Sequence, residues 1–138
     1  MYTRTMLGLD EAQKIAHAIM DHVAKRNDPP VSIAIVDARG DLLLFIKMDG
    51  SSWNSGRMAP MKAYSAAKMR LNTSAIRQRM ESIGVELLDW GDPDLTTLTG
   101  GVCIRDESGT VIGGVGVSGY PKPPDDEEAA RVGVAALA

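Results

Sequence analysis

A single cysteine, two histidines and an aromatic content of 4% are the scarcest features of this chain of 138 residues, and each scarcity removes a class of protein. One cysteine, Cys103, excludes an intrachain disulfide scaffold. Its place in an apolar, strand-like stretch reads as a small core residue. Two histidines and one thiol make a poor structural zinc set. His17 and His22 share the first predicted helix but project about 140° apart at about 100° per residue, so they cannot meet on one ion. No metal site is expected. No run of about 18 apolar residues is present, which excludes a transmembrane helix, and the start MYTRTMLGLDEAQ lacks the basic-then-apolar pattern of a signal peptide. Positive charge is not in excess either: 15 Lys and Arg against 18 Asp and Glu leave −3, with no basic stripe for nucleic acid. These absences predict a cytoplasmic protein whose partners include neither membrane nor nucleic acid.

What is present describes one folded domain spanning residues 1–138. The 44% apolar and 24% charged residues suit a globular chain, and its length can bury a core without covalent staples. Asp10 is placed to cap a helix running to about Arg26, with Ala12, Ile15, Ala16, Ile19 and Val23 along one face. Val31–Asp37 and Asp41–Met48 read as strands joined by the turn Asp37-Ala38-Arg39-Gly40. Ile104–Ile112 repeats that turn chemistry with Asp106 and Gly109. Two such hairpins imply at least four antiparallel strands. Between them Pro60 reads as the first turn of a helix continuing through Met61–Arg70, and a short helix follows over Ala75–Ser82, stopped by Gly84. Residues 86–99 read as loop. After Pro121–Pro124, the acidic run Asp125–Glu128 opens a last helix. The order predicts an α+β layer arrangement of one antiparallel sheet with helices packed on it.

Several motifs invite a chemical reading. Gly114-Val115-Gly116-Val117-Ser118-Gly119 spells the dinucleotide fingerprint, but prolines follow where a helix must start at once and no further strand can form, so nucleotide binding is excluded. These glycines read instead as a strand passing close under a helix or ligand. No serine sits in a nucleophile elbow, and Asp92/Asp94 and Asp125/Asp126 read as loop and helix-start charges. Lys62 stands out because Ala59, Ala63, Ala66 and Ala67 surround it, letting its helix approach another backbone. A partly desolvated lysine there could hold an anion or transfer a proton. With methionine at position 62, length and helix propensity are kept, so the substituted chain is expected to fold.

In combination these segments resemble a known family. Val31–Asp37 with Gly40, then Lys47-Met48-Asp49-Gly50, then Ala59-Pro60-Met61-Lys62-Ala63-Tyr64-Ser65-Ala66 with Thr73, then Gly100–Ile104 and Ile112–Gly119, follow in order the pattern of the GlcG/HbpS-like family, the haem-degrading domain that also forms the C-terminal part of PduO-type proteins. The resemblance covers nearly the whole chain. It implies a profilin-like α-β-α fold with a five-stranded antiparallel sheet, homo-oligomers from dimer to octamer, and a ligand pocket near the lysine helix and the Gly-Gly strand. Two positions depart from the pattern: Ser65 replaces a threonine but keeps the hydroxyl, and Cys103 replaces a proline.

Two functions stay open on this reading. The first is a protein binding haem or another small molecule, with haem the implied cofactor, Met58, Met61 and Met69 as pocket lining and His22 as the histidine ligand. The second is a catabolic enzyme, a hydrolase, deaminase or tautomerase, acting on a small carboxylated intermediate. In that reading Arg57 and Lys62 hold the carboxylate, the backbone of Gly113 and Gly114 polarises a carbonyl, and Lys62 or Asp49 moves a proton as the catalytic group. The expected ligand-binding set is therefore Arg57, Lys62, Gly113, Gly114, Gly116 and His22.

Overall fold

The computed structural model describes all 138 residues. Helix α1 spans Leu9–Lys25 and buries Ala12, Ile15, Ala16, Ile19 and Val23, the stripe that their three- and four-residue spacing demands. Its N-cap is Gly8, and Asp10 lies inside the first turn, where its charge favours the helix start without capping it. Strand β1 (Ser32–Asp37) pairs antiparallel with β2 (Leu42–Lys47). The turn between them is closed by Asp37, whose Oδ1 accepts from the N–H groups of Arg39 and Asp41, while Gly40 takes φ +89°. The second hairpin repeats this device. Asp106 Oδ1 accepts from Ser108 and Thr110, and Gly109 sits at φ +86°.

Helix α2 (Trp53–Met69) begins seven residues before Pro60, so this proline lies inside the helix rather than in its first turn. The reason is local. Ser52 caps the helix by accepting from Ser55 N at 3.3 Å, and an earlier start outweighs one lost N–H bond. Arg70 ends α2 in the left-handed region. Helix α3 (Thr73–Ile83) follows, with Gly84 at φ +72° as its stop. Residues 87–90 make one 3-10 turn, and the remaining segment to Gly100 has no strand. Strands β3 (Gly101–Arg105) and β4 (Val111–Ser118) complete the sheet, and α4 (Pro123–Ala135) closes the chain.

The sheet has four strands in the order β2-β1-β4-β3, all neighbours antiparallel. The fifth strand that the family resemblance implied is absent. The chain between the hairpins breaks at Gly91 and Pro93 and spends its hydrogen bonds on turns.

The two faces of the sheet are built differently. Ile33, Ile35, Val115, Val117 and Ile104 face α1 and α4, forming one large aliphatic core with Ile15, Ile19 and Ala129. Ala34 and Val36 face α2 and meet Ala59, Ala63 and Ala67. Register places Gly114 beside Val36 on one side and Cys103 on the other, and Gly116 beside Ala34 and Gly101. The α2 face is thus almost without side chains at its centre, which lets the helix lie directly on the strands.

Candidate functional site

The closeness of α2 to the sheet decides the fate of Lys62. A Cβ on Gly116 would stand 2.1 Å from Ala59 O, one on Gly114 2.3 Å from Ala63 O, and one on Gly101 2.3 Å from Lys62 O. Helix carbonyls occupy the space that side chains would fill, and no gap remains there for a ligand. Lys62 therefore reaches along the sheet rather than out of it. Its Nζ donates to Val117 O at 3.0 Å and to Asp126 Oδ2 at 3.1 Å, with both side chains only 4% exposed. Burial pulls the Lys62 ammonium below the ordinary lysine range, against the pull of Asp126. Burial likewise pushes the Asp126 carboxyl up, against the pull of Lys62 and of the Tyr120 N–H.

Asp126 is shared. Its other oxygen accepts from Tyr120 N at 3.0 Å, and Tyr120 continues the chain of contacts by donating its hydroxyl to Asp28 Oδ2 at 2.7 Å. Arg26 Nε donates to the same oxygen at 2.9 Å. Burial and then the Asp28 bond raise the Tyr120 phenol well above its ordinary range, while the Tyr120 bond holds Asp28 below the usual carboxylate range. One polar path therefore joins α2, the end of β4, the start of α4 and the residues after α1. His22 lies half-buried in the last turn of α1, within electrostatic reach of Asp28.

The six expected ligand residues separate into distinct places. Lys62, Gly114 and Gly116 come together at the α2–β4 contact. Gly113 faces the opposite side, where a Cβ would meet Leu7 at 2.9 Å. Arg57 is exposed on α2, about 140° around the helix from Lys62, and His22 belongs to the α1 layer. Of the methionines, Met61 lines a cavity of about 240 Å³ with Leu42, Pro60, Tyr64 and Asp94, while Met58 and Met69 are half-buried. Tyr64 donates to Asp92 Oδ2 at 2.6 Å. That hydrogen bond, with burial, pushes its phenol up to about 12 and lowers the Asp92 carboxyl.

Sequence reasoning missed Asp126 as the partner of Lys62 and Tyr120 as its link to Asp28. A signal did exist. A lysine surrounded by alanines on a buried helix face must find a carboxylate, and Asp125–Glu128 is the acidic run that returns to the sheet after β4. The hydroxyl retained at Ser65 also has a use, accepting from Thr96 N at 2.8 Å and anchoring the loop before β3. Thr73 Oγ1 accepts from Gly101 N at 2.9 Å in the same way.

Comparison with known proteins agrees with this architecture. Residues 7–135 match the family described as haem degrading protein HbpS-like. The chain is 32% identical over 118 residues to protein GlcG of Escherichia coli, covering 86% of this chain and 85% of that protein. Among solved structures, a double mutant of Streptomyces reticuli HbpS superposes with TM-score 0.88 at 30% identity, covering 100% of this chain and 91% of the other. A PduOC:heme complex superposes with TM-score 0.83 at 25% identity, over 96% of this chain and 95% of the other.

Proposed function

Because the chain belongs to the HbpS-like family of haem-degrading proteins, we propose that it binds haem or a related small molecule. The observation that carries this reading is the likeness over nearly the full chain to a protein solved as a heme complex. The candidate ligand of haem iron is His22, a half-buried imidazole, with the exposed Lys25 in the same helix turn to meet a carboxylate; Arg26 is already held by Asp28. Haem supplies a redox-active iron when bound; the part of this chain is to hold and orient it. Self-association belongs to the same reading, since Trp53 is 96% exposed and Phe45, beside Gly56 in the next turn of α2, adds apolar surface. Titration with haemin tests the proposal. A saturable Soret shift that weakens at least about tenfold in His22→Ala supports it, and an unshifted Soret band refutes it.

The alternative of a catabolic enzyme acting on a small carboxylated intermediate has less support, since Lys62, its expected catalytic group, is 4% exposed and is held by Val117 O and Asp126.

A further inference from the structure

Over the outer edge of β3, between the start of α3 and the last turns of α4, lies a second and larger cavity of about 540 Å³. Its apolar part is made by Val102, Cys103 and Val134, and its polar part by Ser74, Arg105 and Arg131. No acidic residue lines it, although acids outnumber bases in the chain as a whole. The two guanidinium groups have donors to spare out of five each. Arg105 uses one, from Nη1 to Gly109 O at 2.9 Å. Arg131 makes two long contacts, 3.3 and 3.4 Å, to a single oxygen of Glu127, whose other oxygen takes the Ser74 hydroxyl. The start of α3 also borders the cavity, through Asn72, Ser74 and Ala75. The Asn72 side chain does not cap this helix, because its oxygen accepts from Cys103 N at 2.9 Å instead. Burial raises the Cys103 thiol, so it contributes a neutral, apolar surface to the cavity.

We propose that this cavity binds a small organic carboxylate carried on a compact apolar body, the charged end between Arg105 and Arg131 and the body on Val102 and Val134. Two guanidinium groups on one cavity suit a planar carboxylate, and the apolar residues beside them disfavour a fully hydrated inorganic anion. The site needs neither His22 nor iron, so it goes beyond the haem reading.

Amide NMR of the full chain tests it, with benzoate as the probe and benzyl alcohol and inorganic phosphate as comparisons. Benzoate is expected to move the Ser74, Ala75 and Cys103 amides saturably, with Kd on the order of 1 mM. Both arginines are exposed, so Arg105→Gln/Arg131→Gln should keep a dispersed, folded spectrum while its benzoate affinity falls about tenfold or more. A lysine pair at the same positions should lose less. The proposal is overturned by the absence of a saturable shift, by equal binding of benzyl alcohol or phosphate, or by unchanged affinity in the double variant. Haemin separates the two sources of a carboxylate. An unaltered Soret titration in the double variant supports a free small acid, and a parallel loss replaces it with a haem propionate.

Discussion

Lys62 and Asp126 are 64 positions apart in the chain and 3.1 Å apart in the fold, and their contact is sealed from solvent. The pair ties the first turn of α4 to the middle of α2 across the end of β4. An ion pair of this kind adds little over an apolar replacement of the whole unit, but removing one member strands a buried charge.

Lys62→Met is therefore expected to destabilise the fold by about 3–5 kcal/mol, which reverses the expectation drawn from its length and helix propensity alone. Adding Asp126→Asn should recover more than half of that loss in urea unfolding. Because the Asp126 carboxyl is already raised by burial, the single variant should lose less at mildly acidic pH, where the stranded group can take up a proton.

The turn glycines should separate by environment rather than by backbone. Gly40 and Gly109 share nearly the same φ, but a Cβ on Gly109 meets nothing while one on Gly40 falls 2.7 Å from the Tyr64 ring. Gly109→Ala should cost roughly 1 kcal/mol, and Gly40→Ala measurably more, as the ring must move. Equal losses in thermal unfolding would show that Tyr64 yields freely.

Gly116→Ala should be far worse than either. The obstacle is the Ala59 carbonyl at 2.1 Å, which is backbone and cannot swing aside. Loss of the folded circular dichroism signal, or a drop of at least about 3 kcal/mol, is the expected outcome.

The Tyr64–Asp92 bond should appear in the pH dependence of stability at both ends. Asp92 titrates below its ordinary range when folded, so its contribution is present above about pH 4 and is lost as pH falls through the lowered value. Tyr64 is raised to about 12, so its contribution is full below about pH 10 and is lost as pH climbs towards the raised value. The Tm difference between the protein and Tyr64→Phe should therefore stay flat from mildly acidic to mildly alkaline pH and shrink outside that window.

Self-association should be visible in light scattering as a mass above one chain at micromolar concentration. Trp53→Ser, which removes the most exposed of the large apolar residues on that flank, should shift the population towards smaller species. A monomer throughout would refute the assembly.

The legible parts of this fold are those whose causes are local. Asp37 with Gly40 and Asp106 with Gly109 announce their turns because the side chain bonds its own backbone two residues on. The glycine strand announces a close approach because nothing else needs three missing side chains in six residues. Pro60 misled because a proline compatible with a first turn also survives inside a helix whose cap, Ser52, is strong enough. The Lys62–Asp126 pair stayed hidden because its members meet only after the whole sheet has formed, and the acidic run at α4 already had a sufficient reason to exist in the helix start.

The unequal faces of the sheet also imply unequal motion. On the α1 and α4 side, branched side chains can change rotamer and absorb small displacements, so those helices can breathe against the strands. On the α2 side, peptide groups rest on peptide groups at Gly101, Gly114 and Gly116, leaving few rotamers to turn. Helix α2 and strand β4 should exchange their amide protons as one slow unit, while α1 opens more often and at lower cost.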